Sequence, residues 1–522
     1  MSQLAALSQA IRRLKVPNLA KGAAWIGALQ FVRVVLSLAG MALLLRRFAP
    51  AEYGLVAIGT AAAELSMACL IYVPVAIQVF AVRLVAEGDD RALATVLWCA
   101  YALRLVSSIT VSAALFALAG PLGDFYQHPE LALIIAAVSL TALGRAVDGP
   151  VETNFMYVEK RYGAIFLLGV LEGAGLFAVN LAALAGHWTV SQYALGYALS
   201  WMPRNIYCWF LLYRFAKHRS LAIDRGIARH WMRRIIQFTG WHSGMTFLNS
   251  AAANGGTLVI GRALGPEATA IYSVAVTLLR RLIALVFSPD TIFVSRISQA
   301  AMVSARHVME RVVAYYSVFG LFAALCAIGM LAYAPEIASI LGGERYRGSV
   351  VILQILTIVV CIRSVEIARH ISYAGERTRQ LFWVVLMRTC LEYALLGVAA
   401  WTGSLGWAIF SVVLGAAASS IGIVLVAARG MKDSLTGKFV STLSVNMIAC
   451  GGVVGMGVLL AQFVPEPWRA VDLAARTLLA LILTAAMAGI FWWTYTRRRR
   501  PFLQPAGTAH ESLQSAPASV AK

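Results

Sequence analysis

Leu43-Leu44-Leu45-Arg46-Arg47-Phe48-Ala49-Pro50-Ala51-Glu52-Tyr53-Gly54 ends one long apolar run and starts the next. Val259-Ile260-Gly261-Arg262-Ala263-Leu264-Gly265-Pro266-Glu267 does the same later in the chain, and Arg47/Arg262 and Glu52/Glu267 are each offset by 215 residues. Both motifs close an odd-numbered apolar run, and six runs separate them. An even number of crossings brings both copies in from the same face, which is the signature of a parallel internal repeat.

The runs are long enough to cross a bilayer, which needs about 20 apolar residues per helix. The 522 residues (56.2 kDa) are 60% hydrophobic and only 13% charged, with a mean hydropathy of +0.75. A water-soluble fold of this size cannot clothe itself with so little polar surface. The expectation is an all-α integral membrane protein of about 14 transmembrane helices, built as two six-helix bundles related by a parallel repeat plus two C-terminal helices.

A net charge of +20 would suggest nucleic acid in a soluble chain. Sorted by loop, 30 of the 44 Lys and Arg fall on the face that holds both termini, six on the other, and eight inside the runs. That asymmetry places both termini in the cytoplasm by the positive-inside rule, with Arg46 and Arg47 as a local exception, and argues against a nucleic-acid partner. The expected organisation is a cytoplasmic amphipathic segment at 1–22, a first bundle at 23–213, a basic linker at 214–235, a second bundle at 236–428, two further helices at 429–496 and a disordered basic tail at 497–522. In the first segment, Leu4, Leu7, Ile11 and Leu14 beside Arg12, Arg13 and Lys15 suit a helix lying on anionic lipid. No cleavable leader pattern precedes the run that begins near Ala23, so the first helix is expected to remain as an anchor.

Lys21-Gly22-Ala23-Ala24-Trp25 in the first helix, the RxxPxEYG-type turn from Arg47 to Gly54 and the GRxLGPE turn from Gly261 to Glu267 resemble polysaccharide transporters, the Wzx-type lipid-linked oligosaccharide flippases of the multidrug/oligosaccharidyl-lipid/polysaccharide exporter superfamily. The resemblance implies a twelve-helix core plus two helices in a bacterial inner (plasma) membrane. It implies that a polyprenyl-diphosphate-linked oligosaccharide crosses to the outer leaflet for cell-surface polysaccharide, O-antigen lipopolysaccharide or exopolysaccharide. Membrane lipid is then a partner, and polysaccharide polymerase machinery a possible functional one.

Enzyme classes lack their motifs. The only Gly-Lys-Phe, at Gly437-Lys438-Phe439, has no hydroxyl after the lysine, and HExxH, GxSxG and metal-spaced His/Cys clusters are missing. All seven cysteines sit in apolar runs without a CxxC and read as core thiols. No cofactor, metal or catalytic residue is expected, and transport would have to draw on an ion gradient.

Arginines inside the runs carry the chemistry, because each costs roughly 2.5–3.5 kcal/mol facing lipid at a helix centre. Arg145 has Asp148, Arg388 has Glu392 and Arg476 has Asp472 at helical spacing, so these read as structural pairs. Arg33, Arg104, Arg204, Arg280 and Arg281 have no acid three or four residues away. Polar stripes Gln30/Arg33/Ser37, Glu64/Gln78, His242/Thr246/Asn249 and Thr277/Arg281/Ser288 come from matching places in the two halves. The expected site is a hydrated cationic cavity in which Arg33, Arg281, Arg280, Arg104, Arg204, Gln30 and Asn249 hold a diphosphate, with Glu64 as the ion-coupling group. The bland alternative is that each arginine pairs with an acid or carbonyl on a neighbouring helix. A peptidoglycan lipid-precursor flippase would share this cavity. An ion-coupled multidrug exporter would favour acids, and a membrane polymerase or a scaffold stays open as a different class.

Overall fold

The computed structural model describes residues 17–146, 148–155, 159, 161–219, 225–287, 305–374 and 377–429. The expected helices at 429–496, the tail, residues 1–16, Ser288 and the Arg476/Asp472 pair lie outside the described residues.

Among the described residues the chain makes twelve antiparallel helical passes and no strand. They run 17–47, 50–87, 90–117, 129–153, 162–185, 190–219, 225–263, 265–286, 305–342, 349–374, 378–402 and 405–428. Nine of these stretches are long and apolar enough to cross a membrane, by length and composition alone. The three that fall short are the second, sixth and seventh. The second is broken between Ala68 and Pro74 and continues as a π-helical stretch, Ile77–Ala81. The sixth is broken at Ser200 and Trp201. The seventh, Arg225–Ala263, spends helical positions on polar side chains.

The packing is that of a repeat. The first pass lies along the fifth, and the seventh along the eleventh; the first also meets the eighth and ninth, and the seventh meets the second and third. Adding six to each pass number maps one set of contacts on the other, so the two bundles face each other about a pseudo-twofold axis between the second and eighth passes. The two motifs quoted above meet there. Gly54 packs directly on the backbone of Pro266, and a Cβ on Gly261 would stand 2.7 Å from Ile58 Cδ1. Gly265 takes φ +86°, which is why a glycine precedes that proline.

The motif residues build the turns. Glu52 Oε2 accepts the Ala49 N–H at 2.9 Å, tying off the N-terminus of the second pass. Arg47 donates through Nη2 to the carbonyls of His187 (2.9 Å) and Trp188 (2.6 Å), between the fifth and sixth passes. The local charge exception at this face is therefore an arginine consumed by backbone. One apolar cluster runs across both bundles near these turns, with Phe48, Ile58, Leu131, Tyr272 and Leu353 at its centre.

Candidate functional site

A cavity of about 530 Å³ opens at the broken part of the second pass. Its walls come from the second, third, fourth, sixth and seventh passes, including the three that are broken or polar. Backbone can leave the helix at membrane depth where it is buried in protein or lines a watery space.

One wall is charged: Arg104, Arg145, Asp148, Glu152 and Arg204. The other carries Glu64, Tyr72, Gln78, Thr246 and Ser250. Arg204, only 3% exposed, joins two passes. Its Nη2 lies 2.6 Å from Glu152 Oε2 and 3.7 Å from Asp148 Oδ2, and its Nη1 bonds Glu172 Oε2 on the fifth pass. Glu172 also receives Arg33 Nη2 at 2.8 Å. Arg145 meets Asp148 at 3.3 Å and lies over the Trp201 ring, 4.0 Å from its centroid. Three guanidiniums thus share three carboxylates, which makes the burial of so many charges tolerable.

Three of the arginines with no acid on their own helix find one on another: Arg33, Arg204 and Arg280. Arg280 Nη1 lies 3.4 Å from Glu64 Oε2 and 3.1 Å from Asn254 Oδ1, and its Nη2 bonds the Ala253 carbonyl. Arg104 makes no direct ion pair with a described carboxylate, although Asp148 is near enough to act on it through space; its Nη1 donates to the Ile71 carbonyl at 3.2 Å, an acceptor freed by the break in the second pass. Arg281 makes neither a hydrogen bond nor an ion pair with any described residue, although its Nε is buried. One step of about 100° around the helix separates it from Arg280.

Of the residues expected to form the cavity, Glu64, Arg104 and Arg204 line it. Arg33 touches it only through Glu172 and Arg204, Arg280 stands behind Glu64, and Arg281, Gln30 and Asn249 are not in its lining. The Glu64/Gln78 stripe and Thr246 do face it. Sequence reading set Arg145 and Asp148 aside as a local pair and passed over Glu152. The signal was available: Asp148 and Glu152 are four residues apart, one turn beyond Arg145, and so share its face. Among the described residues no group of three His, Cys, Asp or Glu side chains is arranged to hold a metal.

Fold and cavity together define a multi-pass membrane protein of two repeat-related bundles around a polar, charge-balanced chamber. The chain belongs to the polysaccharide biosynthesis protein family, whose profile matches residues 43–351, beginning in the first motif and running past the second. It is 25% identical over 277 residues to the lipopolysaccharide biosynthesis protein WzxC of Escherichia coli (strain K12), covering 51% of this chain and 53% of that one. It is 23% identical over 285 residues to the teichuronic acid biosynthesis protein TuaB of Bacillus subtilis (strain 168), covering 53% and 55%. The chain spans about half the length of these relatives. Its fold is also that of the lipid II flippase MurJ in an inward closed conformation, with a TM-score of 0.63 at 11% identity over 90% of this chain and 99% of that one.

Proposed function

We propose that the protein is a secondary transporter of the bacterial inner membrane that flips a polyprenyl-diphosphate-linked oligosaccharide by alternating access, with both termini in the cytoplasm. The diphosphate and sugars occupy the chamber while the polyprenyl chain stays in lipid. The observation that carries this reading is Arg104, which lines the chamber while bonding only a backbone carbonyl among the described residues. A guanidinium presents five N–H donors in a planar fork, so most of those of Arg104 remain for an anion. Arg281, without a partner among the described residues, is the second cation that an entering diphosphate meets when the halves move. Arg33, Arg145 and Arg204 are held by carboxylates; they position the wall and keep its charge near zero, so the anion is drawn by the two free forks and not locked in place.

Release and return need an energy source, and the chain has no nucleotide motif. Glu64 fills that role in this reading: an anion that takes Arg280 away from it leaves a carboxylate that an ion, most simply a proton, neutralises. The experiment is translocation of a fluorescent polyprenyl-diphosphate oligosaccharide in proteoliposomes. Arg104→Gln, whose amide can still donate to the Ile71 carbonyl, and Arg281→Gln are expected to abolish it while the protein accumulates in the membrane at the wild-type level. Full translocation by both variants would sink the reading.

A further inference from the structure

Where the sixth pass ends and the seventh begins, Arg214, Lys217, Arg229, Arg233 and Arg234 stand exposed. None of the five is ion-paired with a carboxylate among the described residues. The transport reading uses none of them. Arg229 and Arg233 are four residues apart on one face of the helix. The opposite side is packed: Ile235 and Thr239 are buried, and the Cys99 thiol of the third pass lies 3.4 Å from the Ala228 carbonyl. Arg234 is stacked beside two rings, its Cζ 5.1 Å from the centroids of both Phe80 and Trp231.

Exposed aromatic side chains sit next to these cations on both helices. On the sixth pass Trp209, Phe210 and Tyr213 precede Arg214 and Lys217; on the seventh, Phe238 and Trp241 follow Arg233 and Arg234. Exposed Trp and Tyr settle at the headgroup level of a bilayer, so the next turn outward lies at the depth of the phosphates. Among the described residues no carboxylate is ion-paired with these five, and the anionic leaflet offers counter-charge at that depth.

We propose that this collar binds the headgroups of anionic phospholipids and that the bound lipid fastens the start of the second half to the first. The joint is built for it: Phe80 and Cys99 belong to the first bundle, while Trp231, Arg234 and Phe238 open the second. An anionic headgroup held by Arg229 and Arg233 sits on the turns of the seventh pass that pack on Phe80 and Cys99, and so loads the joint between the halves. The site is independent of what the chamber carries.

The test is the full-length protein in nanodiscs made from mixed phosphatidylcholine and phosphatidylglycerol, with retained lipid counted by native mass spectrometry and the thermal midpoint read alongside. Wild type is expected to enrich phosphatidylglycerol and to melt higher than in phosphatidylcholine alone. Arg229→Gln/Arg233→Gln is expected to lose on the order of tenfold in that enrichment. Arg345→Gln, exposed on the opposite face, is expected to keep it. Wild-type enrichment in the double variant overturns the site, and so does an equal loss in Arg345→Gln, which would leave only bulk charge.

Discussion

Arg280 of the eighth pass lies 3.4 Å from Glu64 of the second, and the two residues belong to opposite halves of the repeat. The 215-residue offset carries Glu64 to position 279, so acid and base occupy matching depths on the two helices nearest the pseudo-axis. Both side chains are more than a third exposed, 34% and 45%. A pair so open to the cavity contributes little to stability, and its partners are free to exchange. Ser250 ties the same stretch of the second pass to the seventh by donating to the Glu64 carbonyl at 3.1 Å.

Arg204 is the opposite case. It is buried, and Asp148, Glu152 and Glu172 all depend on it. Arg204→Ala leaves three carboxylates with Arg33, Arg145 and, at longer range, Arg281 to offset them, and the expected loss is about 3–5 kcal/mol. The checks are the membrane protein level and the thermal midpoint in detergent, both of which should fall. Arg281→Ala, which breaks no hydrogen bond or direct ion pair among the described residues, should change both far less.

A second buried pair gives the cleaner double-mutant cycle. Arg388 Nε and Glu392 Oε1 are 2.8 Å apart, with side chains 8% and 3% exposed, and Glu392 lies against Gly415 of the twelfth pass. Arg388→Ala is expected to cost about 3–5 kcal/mol by stranding the carboxylate. Adding Glu392→Gln removes the stranded charge, and the melting midpoint should recover in part. No recovery would mean that packing, not charge, is what Arg388 supplies.

Hydropathy and the two motifs made the helical passes and the parallel repeat legible, because both depend on local composition and on a fixed sequence offset. The cavity was legible only in part. Glu64 and Gln78 share a helix face in any regular reading, but the break between Ala68 and Pro74 that opens the chamber is a tertiary feature, stabilised by Arg104 on the third pass and Ser243 on the seventh. Partner choice was legible where helical spacing or the repeat offset carries it, as for Arg145–Asp148, Arg388–Glu392 and Arg280–Glu64, and not elsewhere. That Arg33 and Arg204 converge on Glu172 depends on how three helices cross, and nothing in the spacing of one helix contains it.

At the motif seam, Gly54 leaves no room for a side chain against the Pro266 backbone. Gly54→Val should force the two halves apart at that end, at a cost of about 1–3 kcal/mol. A cysteine placed at Ser273, 6% exposed in the native packing, should then react faster with a water-soluble maleimide than it does beside Gly54. Equal reactivity would show that the seam absorbs the valine by local adjustment.

The 30-to-6 partition of Lys and Arg predicts that the connection between the sixth and seventh passes faces the cytoplasm. In a cysteine-free background, Arg229→Cys should be labelled by an impermeant reagent only after cells are opened, and Arg345→Cys in intact spheroplasts. The reverse pattern would invert the topology.

The coupling proposal makes the sharpest demand on Glu64. While Arg280 is beside it, the carboxylate is compensated; a diphosphate bidentate on Arg280 removes that compensation. In the proposed cycle the freed carboxylate takes the coupling ion in place of Arg280, so anion entry and ion entry become linked events. Gln keeps the shape and one hydrogen-bond acceptor of Glu but cannot change charge. Glu64→Gln proteoliposomes carrying labelled lipid-linked oligosaccharide should therefore still bind substrate, yet translocate at one rate whether or not a pH gradient is imposed, whereas wild type accelerates with the gradient. Asn254 supplies an internal control. Its Oδ1 is also 3.1 Å from Arg280, so Asn254→Ala disturbs the arginine without removing the Glu64 carboxylate and should slow translocation while preserving its response to the gradient. A Glu64→Gln protein that still answers the gradient in full excludes this carboxylate as the coupling group.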